Sequence, residues 1–285
     1  MTTEPRISTG GDNDVEHDTA GARRYPAKPA DVYLFATCLI DQFAPEAGMD
    51  TVRLLEREGI RVHFPADQTC CGQPAYTSGY PDEARAVAAR QLELFPEPWP
   101  VVVPSGSCAA MMRHHYPKLF AADKVHLAKS EELAERIFEF TEFLVHVVHF
   151  DRPDHGAAST VALHTSCHAR REMGSHASSE ALLAGLSRVK LVRQEHAEEC
   201  CGFGGTFSVR HPAISEAMVT DKVQSLVAAG AECVVSADSG CLFNILGRAD
   251  HMDRAAGRDS PSLPCEHIAN FLWRRTAETL NGESA

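Results

Sequence analysis

Two pairs of adjacent cysteines, Cys70-Cys71 and Cys200-Cys201, each followed by a glycine, are the residues of this chain best suited to chemistry. They belong to a recurrence. Cys38, Cys70-Cys71-Gly72 and Cys108 are followed later by Cys167, Cys200-Cys201-Gly202 and Cys241 in the same order. The intervening residues number 31 and 36 in the first set and 32 and 39 in the second. Thiolates are soft ligands suited to zinc, copper(I) and iron–sulfur clusters. A compact zinc site normally uses C-x-x-C knuckles, and the chain has none. Adjacent side chains diverge and suit a single tetrahedral ion poorly, whereas a multi-iron cluster offers each a different metal atom. The spacing therefore favours two clusters over two ions. Two alternatives stay open: vicinal cysteines acting directly as thiol–disulfide nucleophiles, and a non-catalytic binding module held by two zinc ions.

Other residues gather around this pattern. Gly72 and Gly202 let the backbone turn tightly against a cofactor, and the run with Gly204 and Gly205 offers amide N–H groups to an anion. That run lacks the spacing of a dinucleotide fingerprint, and no flavin or nicotinamide motif is visible. Ser105, three residues before Cys108, is placed to supply a further ligand. His164, His168 and Arg170 flank Cys167 and are candidates to orient a substrate carboxylate or to hydrogen-bond cluster sulfurs. His114, His115, His146 and His149 read as surface or packing residues. The remaining two of the ten cysteines, Cys233 and Cys265, read as small apolar side chains.

Short β-rich runs alternate with helical patterns and supply the frame. Strands are expected over residues 32–37, 61–64 and 100–104, and again over 160–164, 189–192 and 233–236. Helices are expected over 45–58, 81–95, 131–148, 178–186, 212–229 and 266–280, with Cys108 and Cys241 each opening a helix, where the N-terminus favours a thiolate. Strand–helix alternation predicts an α/β fold of parallel sheets flanked by helices. Each half of the recurrence becomes one repeat, residues 30–150 and 151–285, joined by the polar stretch 151–159 after a flexible tail over 1–29. All three cysteine positions of each repeat then fall beyond strand C-terminal ends, where ligands gather in parallel sheets.

Composition narrows the function. Lys and Arg number 27 against 39 Asp and Glu, a formal charge of −12. Such a balance disfavours nucleic acid and anionic membranes and suits a docking partner with a basic patch. Arg23-Arg24 resembles a twin-arginine signal, but prolines follow where an apolar stretch should begin. No apolar run approaches the ~20 residues of a membrane span. A soluble cytoplasmic protein with reduced thiols is the expectation.

The segments FATCLID (35–41), FPADQTCCGQPAYTSGY (64–80), PSGSCAAM (104–111), CCGFGGTFSV (200–209) and SADSGCLFNILGR (236–248) resemble the cysteine-rich CCG-domain family. That domain is found duplicated in the B subunit of heterodisulfide reductase, and the likeness is strongest to the family's lactate-utilization branch. It spans about residues 31–275. It implies two α/β CCG repeats carrying iron–sulfur clusters, with 4Fe-4S the type expected, Cys38, Cys70, Cys71 and Cys108 holding one and Cys167, Cys200, Cys201 and Cys241 the other. It also implies an oxidoreductase subunit in the oxidation of L-lactate to pyruvate, partnered by a ferredoxin-like iron–sulfur protein and a third lactate utilization protein. A glycolate or related 2-hydroxy-acid oxidase is the neighbouring alternative. The fuller family motif ends in C-x-x-C, and here Ser105 and Asp238 occupy its first position, so the five-cysteine noncubane cluster is not implied.

Overall fold

The structure, a computed structural model, describes residues 23–259 and 262–277. Its eight strands are β1 (Asp31–Leu34), β2 (Arg61–His63), β3 (Val101–Val103), β4 (Ile137–Glu139), β5 (Ser159–Leu163), β6 (Val189–Val192), β7 (Cys233–Ser236) and β8 (Cys265–His267). They form two four-stranded, all-parallel sheets, ordered β2-β1-β3-β4 and β6-β5-β7-β8. The fold class predicted from the alternation of elements is the one observed, and the two halves have the same strand order.

Local sequence explains the elements. β3 is three valines, all fully buried, as a central parallel strand covered on both faces requires. The helix Pro45–Arg57 has proline at its start and Glu46 in its first turn. It buries Leu54 and Leu55 completely, and Gly59 follows at φ 79°. Three apolar cores result. One lies between the two sheets and joins Val32, Leu54 and Phe143 of the first half to Val161, Val235 and Phe271 of the second. The other two back the outer face of each sheet.

Two strands differ from expectation. The helix expected over 131–148 is instead the helix Lys124–Arg136, capped by Asp123, then β4, then a second helical stretch from Phe140 to Val148. The helix expected over 266–280 begins only at Ile268, after β8, and its described part ends at Thr276. A three-residue buried strand has no periodicity to distinguish it from helix. The caps that follow are also unusual. Glu139 accepts from the Thr141 and Glu142 amides, and His267 Nδ1 accepts from Ala269 N–H. Neither residue is among the usual cap signals.

Of the expected tail, residues 1–22 lie outside the described residues. Arg23 donates to the carbonyls of Glu135 and Ile137, and the Tyr25 ring stacks on His146 at 4.4 Å. The stretch 151–159 is anchored as well: Asp154 forms a fully buried ion pair with Arg275 at 2.7 Å. No helix among the described residues is long and apolar enough to cross a membrane.

Candidate metal centres

The sheet ends bring each cysteine set together. Cys38 opens the helix Cys38–Phe43 directly after β1, and Cys70 and Cys71 sit in the loop after β2. Cys108 is the third residue of the helix Gly106–Ala110 after β3. Cys38 meets Cys70, Cys70 meets Cys71, and Cys71 Sγ lies 3.4 Å from Cys108 Sγ. In the second half Cys167 meets Cys200, Cys200 meets Cys201, and Cys201 meets Cys241. Cys241 is again the third residue of its helix, Ser239–Ala255. All ten cysteines are free thiols.

Crowding sets the electrostatics. Donation from Cys38 and Cys71 pulls the Cys70 thiol down to about 3, while contact with Cys70 and burial push Cys38 up. Donation from Cys167 and Cys201 pulls Cys200 down to about 2, and its contact with Cys200 pushes Cys167 up. Cys241 is drawn to about 7 by its contact with Cys201, against burial, with the His164 imidazole helping. Each group thus crowds several sulfurs around one whose thiolate is favoured. That is a donor set suited to a soft cation or a cluster.

Neighbouring residues hold the thiols in place. Gly72 N–H donates to Cys70 Sγ at 3.4 Å, and Gly202 N–H to Cys200 Sγ at 3.3 Å. Both glycines have φ above 80°, and a Cβ on Gly202 would lie 2.8 Å from the Ser215 carbonyl. These glycines thus serve a left-handed turn and the close approach of a helix. Gly204 packs on Phe207, and Gly205 faces Pro74 across the contact between the halves. The carbonyls of the second vicinal cysteines are also held: Tyr116 Oη donates to Cys71 O at 2.9 Å and Asn244 Nδ2 to Cys201 O at 2.8 Å. Lys222 Nζ, inside the second half, donates to His196 O at 2.7 Å. Sequence reasoning missed all three.

The remaining candidates separate. Ser105 caps the Gly106–Ala110 helix and donates to Asp238 Oδ1 at 2.9 Å, and Ser107 N–H donates to the same oxygen at 3.0 Å. The two residues that stand three positions before the last cysteine of each set therefore bond each other. His168 reaches Gln73 of the first half at 3.2 Å. Arg170 donates to Thr165 Oγ1 and lines a cavity of about 250 Å³ with His176, Arg193 and Gln194. His168 Nδ1 also lies 3.5 Å from Cys167 Sγ, and the remaining candidate at the thiols is His164. It is fully buried, and its ring nitrogen and the Cys201 and Cys241 sulfurs lie within 4.8 Å of one another. Cys233 and Cys265 sit on neighbouring strands away from both groups, and burial raises them to about 11 and about 12.

A family profile described as "CCG: Cysteine-rich domain" matches residues 32–113 and 161–246, one match on each sheet and its cysteines. The chain belongs to the CCG cysteine-rich domain family. Among its CCG relatives, "Lactate utilization protein A" of Shouchella clausii (strain KSM-K16) is 44% identical over 85% of this chain and 98% of its own. The protein of the same name from Bacillus subtilis (strain 168) is 42% identical over 86% and 99%. A solved structure described as a hypothetical protein from Helicobacter pylori shares the fold, with a TM-score of 0.64 at 10% identity over 90% of this chain. The chain spans about half of that structure, 52% of its length.

Proposed function

We propose that this CCG protein is an iron–sulfur oxidoreductase subunit acting in the oxidation of L-lactate to pyruvate. The observation that carries this is the pair of four-thiol groups, built at equivalent sheet ends of a chain whose relatives are named for lactate utilization. When bound, iron–sulfur clusters, read here as 4Fe-4S, supply reversible one-electron transfer. The chain's own residues hold the sulfurs, support the loops from behind through Tyr116 and Asn244, and bury Cys71, Cys108, Cys201 and Cys241 away from water. The donor geometry suits a role as electron carrier between partners, a ferredoxin-like iron–sulfur protein and a third lactate utilization protein. The acidic net charge suits docking to a basic surface.

The test is to purify the chain anaerobically, mix it with the two partner proteins, and add L-lactate or glycolate. The expected result is visible absorption from bound iron and sulfide that bleaches with L-lactate and less with glycolate. Metal-free protein that instead cycles one disulfide per half overturns the proposal in favour of thiol–disulfide chemistry.

A further inference from the structure

The two thiol groups are not equivalent, and the difference is one side chain. Three residues before Cys38 the first half has Phe35, and three residues before Cys167 the second half has His164. Both are fully buried. Phe35 packs edge-on against Phe95 with ring centroids 6.4 Å apart, as an apolar core residue should. His164 stands at the same point of the fold, and its backbone N–H donates to Val235 O at 2.9 Å, so the strand end is fixed without the ring.

The imidazole has no such account. Neither Nδ1 nor Nε2 makes a hydrogen bond of ordinary geometry, although both are buried and the ring interacts with the Cys241 thiol. Buried polar atoms are nearly always paired, and an orphan calls for an explanation. An imidazole kept dry without an ordinary hydrogen bond is an unfavourable way to fill a space that phenylalanine fills in the other half. What lies beside it is the pair of sulfurs of Cys201 and Cys241. Nearby, Asp238 Oδ1 is committed to Ser105 and Ser107, and His168 Nδ1 lies 3.5 Å from Cys167 Sγ, so His164 is the nitrogen that faces Cys201 and Cys241.

We propose that His164 is a nitrogen ligand of the metal held by the second quartet. The inference rests on the iron–sulfur reading above. The first site would then be all-sulfur, and at the second the imidazole nitrogen would take the place of one thiolate, since four thiolates already fill the terminal positions of a 4Fe-4S cluster. Iron accepts both donor types. Imidazole is neutral where thiolate is negative, and histidine ligation raises the reduction potential of a cluster relative to all-thiolate ligation. The second site is therefore the more oxidising of the two, and electrons entering the chain come to rest there.

Full-length protein with ¹⁵N-labelled histidine, purified anaerobically and reduced with dithionite, tests this by pulsed EPR. The expected result is a directly bonded nitrogen coupling that changes between ¹⁴N and ¹⁵N histidine. It disappears in His164→Phe, which installs the first half's own residue, and in His164→Ala, which avoids any overpacking by the larger ring. Iron K-edge absorption, which needs no unpaired spin, should show the corresponding loss of an iron–nitrogen distance. The more positive of two reduction potentials should move toward the other in both variants. Iron and sulfide at both sites with no directly bonded histidine nitrogen overturns the ligand assignment and leaves the proposed function standing. Protein without iron and sulfide overturns the proposed function itself.

Discussion

Ser105 and Asp238 show what a single position can do when its expected chemistry is removed. Each stands three residues before the last cysteine of its group, and they close a hydrogen bond between the halves. Spacing places Ser105 as a further metal ligand, but its hydroxyl is taken up by Cys108 N–H and Asp238. Glu139 is a second such residue. It is fully buried at the end of β4, with Oε2 accepting from Thr141 and Glu142 and Oε1 unpartnered, and Glu142 adds a like charge. Burial raises it to about 7. The folded chain therefore keeps this proton at a pH where the unfolded chain, near ~4.3 for a free glutamate, has lost it. The site's contribution to stability is complete below that lower value and is lost as pH rises through about 7. Glu139→Gln keeps an acceptor for the two amides and cannot ionise. It should match the parent near pH 4.5 and exceed it by up to about 3 kcal/mol at pH 8. Denaturation at the two pH values checks this, and an equal difference at both would count against it.

At the scale of elements, the legible parts were those with length and punctuation. Residues 45–58 and 212–229 announced themselves through an initial proline and a terminal glycine, and the helices Pro45–Arg57 and Pro212–Ala228 fall there. β4 and β8 did not, because each is three residues long and merges into the helix it precedes. The cap residues Glu139 and His267 occupy the same place in the two repeats. His267 Nε2 also lies 3.1 Å from both Pro104 O and Ala237 O, so one ring ties the ends of β3 and β7 together. No sequence pattern announces a contact between residues 163 positions apart. The thiol groups were legible because their order was written twice. Tyr116 and Asn244 were not, since a lone polar residue in a helix has the same appearance whether it faces water or a cysteine carbonyl.

For the whole molecule, repetition and fusion act together. The two sheets share a core, and the segment between them is fastened by the Asp154–Arg275 pair, each side chain 1% exposed. Asp154 also accepts from Arg188 and Gly156 amides. Asp154→Ala leaves a buried guanidinium without its counter-charge and should cost roughly 3–5 kcal/mol. Asp154→Ala with Arg275→Met should recover part of that loss, and urea denaturation midpoints of the single and double variants measure it. A midpoint unchanged in Asp154→Ala would contradict this role. Fusion fixes the two thiol groups relative to each other, while repetition leaves each with its own strands, helix and glycine turn. The account's central claim is that these are two separate cluster sites. Its most direct test is the iron and sulfide content of anaerobically purified Cys71→Ser and Cys201→Ser beside the parent. Each variant should lose about half the iron and keep the other site's spectrum; iron content unchanged in both would contradict the two-site account.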